Sequence, residues 1–171
     1  YYNEEVCRPS RESHTFQTIH QMGLESMGAV DADEQAAVVR LALQSLAALN
    51  VPTVLEVSHM GYLTGMLDAL QGPAEARGRI LDFLRTKNAH ELRAAALAAG
   101  LSEAAADALC GVLELSGGYA ATLSKAAALC RNPAMTAAVA ELTALAPTLG
   151  QAGGSIRLDL TLAGEMEYYN G

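Results

Sequence analysis

The sequence predicts an α+β protein, and three observations carry that reading. Apolar and polar residues alternate with a period of two through "FQTIHQMGLESMG" (16–28), as a strand demands. Residues 73–149 are rich in Ala and Leu and break at short intervals into helical segments. After "GQAGG" the period of two returns in "SIRLDL". Strands, then helices, then strands again suit a predominantly antiparallel sheet with one polar face and helices behind it. The chain has 171 residues, enough for one domain with a sizeable core. It is 51% apolar, but much of that is Ala, so the core must be built from many small contacts.

The elements follow in order. "YYNEEVCR" (1–8) can form a short strand, and "PSRESH" (9–14) is a polar loop. The run from Thr15 to Gly28 then predicts a returning strand, so that the two make an antiparallel hairpin. Phe16, Thr18, His20, Met22 and Leu24 share one face, and Gln17, Ile19, Gln21, Gly23 and Glu25 the other. "DADEQAAVVRLALQSLAALN" (31–50) is the clearest helix. Asp31 or Asp33 can cap it; Val38, Leu41, Ala42, Ser45, Leu46 and Leu49 form its face, and Asn50 and Pro52 end it. "TVLEV" (53–57) is a short strand, with a helix after Ser58. Four or five short helices fill 73–149, punctuated at 71–73, 87–90, 99–102, 115–118, 131–133 and 147–154. No fixed period links them, so they are not a solenoid. The expected organisation is 1–70 as a sheet-bearing core, 71–153 as a helical insertion, and 154–171 as returning core strands.

Charge and cysteine usage narrow the function classes. A net charge of −8 argues against a surface that coats nucleic acid. The apolar runs are too short to span a bilayer, and no signal-peptide pattern opens the chain. Cys7, Cys110 and Cys130 are odd in number and lack CxxC spacing, which fits free thiols in a reducing cytoplasm. Both ends, "YYNEEV" and "GEMEYYNG", read as cut from inside a folded domain.

Few constellations carry chemistry. Gln21 and Glu25 on one strand face span a small polar ligand, since same-face neighbours lie about 6.6 Å apart. Gly23 between them removes a side chain where a ligand can approach. The ordinary alternative is a solvent-facing sheet side. Arg8 ends the first strand, where a guanidinium can hold a phosphate or carboxylate. His20 and His59 have no Cys or acid at ligand spacing, so a structural role is expected and no metal site. "SGG" and "AGG" are too short for a phosphate loop. Glu165 and Glu167 share a face and read as a solvated edge rather than an acid/base pair.

Two stretches together carry a family resemblance. "CRPSRESHTFQTIHQMGLESMG" followed by "DADEQAAVVRLALQSLAAL" resembles the motif 2 hairpin and following helix of the histidyl-tRNA synthetase superfamily of class II synthetase folds. "LDLTLAGEMEYYNG" resembles that superfamily's strand with an Arg-Gly-Leu-Asp-Tyr-Tyr-x-Gly signature. The resemblance covers about half the chain and implies a class II synthetase-like antiparallel sheet with helices, an inserted helical module and truncation at both ends. It implies that Gln21 and Glu25 face an amino-acid and adenylate pocket, that Arg8 contacts a phosphate, and that Tyr168 and Tyr169 wall a histidine pocket.

The departures point to one branch. Gly164 stands where the signature has its Arg, Glu165 where it has Gly, and Glu167 where it has Asp. Losing that Arg removes charge stabilisation from the activation step, a cost of roughly 3–4 kcal/mol by analogy with deleting one oxyanion donor. The sequence therefore is more similar to the superfamily's non-catalytic branch, the regulatory subunits of ATP phosphoribosyltransferase. That resemblance implies a partner, the short ATP phosphoribosyltransferase catalytic subunit, and histidine as effector. It implies a homodimer within a larger hetero-oligomer in the cytoplasm, with no cofactor, no membrane and no tRNA. Two other readings stay open: a divergent histidyl-tRNA synthetase core that adenylates histidine, and a helical interaction module with no ligand.

Overall fold

A computed structural model describes residues 1–9, 15–70, 74–150 and 155–162. The chain opens on an antiparallel hairpin, β1 (Tyr2–Pro9) and β2 (Phe16–Gly23), in continuous register from Tyr2 opposite Gly23 to Pro9 opposite Phe16. α1 (Ala32–Ala47), β3 (Val54–Val57) and α2 (Met60–Ala69) follow. Then come α3 (Ala74–Arg85), α4 (Ala89–Ala98), α5 (Glu103–Val112), β4 (Ser116–Gly118), α6 (Tyr119–Ala128), α7 (Pro133–Gly150) and β5 (Ser155–Asp159).

Helix starts are set by short polar side chains placed before the apolar period. Asp31 accepts the Glu34 N–H at 2.9 Å, Asn88 that of Glu91 at 3.1 Å, and Ser102 that of Ala105 at 3.2 Å. Asn132 does more. Its Oδ1 accepts the Met135 N–H at 2.9 Å at the start of α7, and its Nδ2 donates to the Gly65 carbonyl in α2 at 2.7 Å. Gly65 has no Cβ, and one added there would sit 2.9 Å from Met135 Cγ, so glycine is what lets α2 and α7 meet.

Two helix ends use the same left-handed turn. After α4 the turn residue is Gly100, at φ +83°. After α3 it is Lys87, at φ 52°, where the Asn88 N–H reaches back to the Phe83 carbonyl and the Lys87 N–H to that of Leu84. A side chain in that conformation is strained by roughly 1–2 kcal/mol.

The core lies among α2–α7 and the end of β5. Tyr62, Leu63, Met66, Leu84, Leu92, Leu109, Val112, Leu115, Met135, Leu142, Leu158 and Leu160 are fully buried. β5 closes it from one side. It pairs parallel to β3 and antiparallel to β4, giving the order β3-β5-β4. The Leu160 N–H continues the pairing to the Leu115 carbonyl at 2.9 Å.

One buried charge ties these parts together. Asp159 is 2% exposed. Its Oδ2 accepts from Lys87 Nζ and Ser116 Oγ, both at 2.8 Å, and its Oδ1 from the Thr161 N–H at 2.9 Å and Thr161 Oγ1 at 2.5 Å. Burial alone would raise its pKa; the bonds from Lys87, Thr161 and Ser116 outweigh that and hold it at about 2, below the ordinary 3.8.

Several expectations change. The described strands form two separate sheets, one of them mixed, rather than one largely antiparallel sheet, because β3 and β5 are joined by a crossover through α2–α7 and so run parallel. β2 ends at Gly23, level with Tyr2 of β1, and not at Gly28. "SGG" is a strand and not a loop, since it completes the edge of β5. α7 runs through Pro147 to Gly150; burial of Leu145 and Leu149 on either side outweighs the backbone bond that Pro147 cannot make. On α1 the covered side carries Val39, Ala42, Leu43 and Leu46, while Leu41, Ser45 and Leu49 of the expected face are exposed. Its packing partner is α7, and Gln35 Nε2 donates to Glu141 Oε2 there at 3.4 Å.

Two outcomes test this core. A Gly65→Val chain should lose about 2 kcal/mol in urea unfolding, because Met135 is fixed by the Asn132 cap and cannot retreat. Asp159 has a lower pKa folded than unfolded, so its contribution is present above pH 3.8 and disappears as pH falls through about 2. Asp159→Asn should cost about 2 kcal/mol near neutral pH and flatten the acid limb of a stability-against-pH curve.

Candidate functional site

The hairpin brings three polar side chains together on one face. Tyr2 lies opposite Gly23, Glu4 opposite Gln21, Val6 opposite Ile19 and Arg8 opposite Gln17. Directly opposed residues share a face of the ladder. Gln21 is the centre of the row. Its Oε1 accepts from Arg8 Nη2 at 3.1 Å, and its Nε2 donates to the Tyr2 hydroxyl at 2.6 Å. A guanidinium has donors only, so the amide oxygen must be the end that faces Arg8. Gln21 and Tyr2 are half-buried, and Arg8 and Glu4 are exposed.

Gly23 has a definite job. A Cβ on it would collide with Cζ, Cε1 and the hydroxyl oxygen of Tyr2. The space above Gly23, expected to admit a ligand, is thus filled by the phenol end of Tyr2, its cross-strand neighbour.

Chemically the row offers donors from Arg8, Tyr2 and the second Gln21 N–H, and a carboxylate from Glu4. Donors beside an acid complement a zwitterion, whose carboxylate needs N–H or O–H groups and whose ammonium needs an anion. The structure therefore joins Arg8 and Gln21. Glu25 lies two residues past the end of β2 and is exposed, so it does not continue the ladder. Tyr168 and Tyr169, like Glu165 and Glu167, lie outside the described residues. Tyr2 and Glu4 were missed. Their signal was the alternation Tyr2, Glu4, Val6, Arg8, which becomes informative only once the register places it against Gln21.

Several other polar groups have structural partners, although the buried Nδ1 of His59 has none among the described residues. His20 Nε2 donates to Asn3 Oδ1 at 2.7 Å on the opposite hairpin face. His59 Nε2 donates to Glu141 Oε2 at 3.0 Å, which joins α2 to α7 and, with the Gln35 bond, holds the Glu141 carboxyl below its usual range. Tyr62 is buried and donates to the Ala126 carbonyl at 2.9 Å, and burial raises its pKa. Cys7, Cys110 and Cys130 are free thiols; burial pushes the Cys110 and Cys130 thiols up, away from the reactive thiolate. Among the described residues no three His, Cys, Asp or Glu side chains converge as metal ligands. No described helix is long and apolar enough to cross a membrane.

A family model described as histidyl-tRNA synthetase matches residues 1–171. The chain belongs to the histidyl-tRNA synthetase family. Its fold is accordingly of the class II synthetase type. Within the family it is similar to proteins named ATP phosphoribosyltransferase regulatory subunit. It is 30% identical over 154 residues to that of Halalkalibacterium halodurans, covering 88% of this chain and 38% of the relative. It is 32% identical over 151 residues to that of Thermus thermophilus, covering 88% and 41%. A crystal structure described as an ATP phosphoribosyltransferase regulatory subunit/histidyl-tRNA synthetase from Bacillus halodurans superposes with a TM-score of 0.77 at 27% identity, covering 96% of this chain and 44% of that one. The chain spans about two fifths of the length of the curated relatives it matches.

The hairpin network is exposed enough that its value is geometric. Gln21→Ala should change unfolding free energy by no more than about 1 kcal/mol, as removing a partly solvated hydrogen bond does. Its spectroscopic effect should reach both Arg8 and Tyr2, read as side-chain shifts by NMR.

Proposed function

We propose that this chain is the core of a non-catalytic regulatory subunit, which activates the short ATP phosphoribosyltransferase catalytic subunit in the first step of histidine biosynthesis and takes part in histidine feedback. The observation that carries the reading is that the similar proteins are named as that subunit across several organisms. The sequence adds support, because Gly164 stands at the position of the signature Arg that serves adenylation. Histidine-like recognition is assigned to Gln21, Glu25, Tyr168 and Tyr169, with Arg8 as the anion contact. The hairpin row of donors beside Glu4 supports an amino-acid ligand there. Histidine would regulate through a difference in affinity between active and inactive forms of the complex, with no chemistry at the site.

The same proposal places the protein in the cytoplasm as a homodimer within a larger hetero-oligomer, with no tRNA partner. It treats residues 71–153 as a helical module inserted between the sheet portions 1–70 and 154–171.

The test uses the full-length protein and the short catalytic subunit of the same organism. Formation of phosphoribosyl-ATP should require both, and histidine should inhibit the mixture. A catalytic subunit equally active alone would overturn the proposal. The second reading, a divergent histidyl-tRNA synthetase, draws only on the description of the family model and is not favoured by the named relatives. It requires histidine-dependent exchange of pyrophosphate into ATP, which the regulatory reading expects to be absent.

A further inference from the structure

The geometry points to Tyr2 as a positioning residue for the amino-acid site: its hydroxyl fixes the orientation of the Gln21 amide, and Gly23 exists to seat its ring. The inference rests on the reading of the Gln21 face as a ligand site.

An amide side chain can present oxygen or nitrogen to either side, and an unrestrained Gln on an exposed strand samples both. Here two contacts remove the choice. Arg8 supplies only donors and so takes Oε1. The Tyr2 oxygen takes an Nε2–H at 2.6 Å. Because that oxygen accepts from Gln21, the Tyr2 proton points elsewhere and remains a donor for a bound acceptor. Gln21 in turn keeps one N–H and one lone pair for the ligand. Tyr2 thus sets which end of Gln21 meets which end of a zwitterion.

The phenol end of Tyr2 lies against Gly23 while its hydroxyl meets the Gln21 amide. Gly23 is its register partner, where any Cβ would collide with it. A larger residue at 23 would push the ring out and withdraw the hydroxyl from Gln21. The pattern Gln-x-Gly on β2 and the Tyr on β1 are therefore one device, shared between strands. No described residue of the hairpin is among the buried apolar set, so the described core does not depend on it.

The experiment is a double-mutant cycle on the full-length protein, titrated calorimetrically with L-histidine. Tyr2→Phe keeps the ring above Gly23 and removes only the hydroxyl. Gln21→Ala removes what the hydroxyl holds. Tyr2→Phe should weaken histidine about tenfold, the size of one lost hydrogen bond, with an unchanged melting temperature. In the Gln21→Ala background the same change should cost under twofold. Gly23→Ala should reproduce the loss seen in Tyr2→Phe. If Gln21→Ala weakens binding while Tyr2→Phe does not, or if the two losses multiply independently, Tyr2 does not position Gln21 and the inference is wrong. If Gln21→Ala itself leaves affinity unchanged, the ligand-site reading fails and takes this inference with it.

Discussion

The described fold turns on one buried carboxylate. Asp159 sits at the end of β5 and accepts bonds from three separate pieces of chain: Lys87 in the turn between α3 and α4, Ser116 in β4, and Thr161 just beyond the strand. An ionised carboxylate inside a protein is costly unless its oxygens are satisfied. The chain meets that condition by moving polar groups to the charge. Lys87 accepts a left-handed backbone to do so, in a turn position where α4 ends with Gly100. Strain at Lys87 and satisfaction at Asp159 are two sides of the same arrangement.

The helical part and the hairpin are governed by different physics. Around α2–α7 and β5, stability comes from many small apolar contacts, and close approach matters more than bulk. Gly65 against Met135 and the two-way bonding of Asn132 express that constraint. The hairpin contributes no fully buried apolar side chain. Its side chains instead form short polar links across the two strands: Arg8, Gln21 and Tyr2 on one face, His20 and Asn3 on the other. A surface built this way can change its chemistry at little cost to the core. That separation suits a fold whose members include both synthetases and regulatory subunits.

Much of the layout was legible in the sequence because local rules decide it. Asp31, Asn88, Ser102 and Asn132 announce helix starts, since a side-chain oxygen must satisfy the first free N–H groups. Alternation marked β2 and β5, and the polar row at Gln21 was visible as a strand face too polar for a core. The limits of each element were less legible. Pro147 reads as a stop, yet α7 passes through it, because Leu149 gains more by burial than the backbone loses. β2 reads on to Gly28, yet its ladder stops at Gly23.

What the sequence by itself determined is the kind of most elements, the family and the presence of Arg8 and Gln21 on one hairpin. What only the tertiary structure decided is who stands opposite whom. Register placed Tyr2 over Gly23 and Glu4 beside Gln21, and a parallel crossover brought β3 next to β5. The polar half of "LDLT" reads as solvent-facing by alternation, yet Asp159 and Thr161 are buried, because Lys87 and Ser116 arrive from residues 72 and 43 positions away in the chain. Local propensity acts over one or two turns of backbone. A buried charge is made tolerable only by partners that the folded chain carries to it.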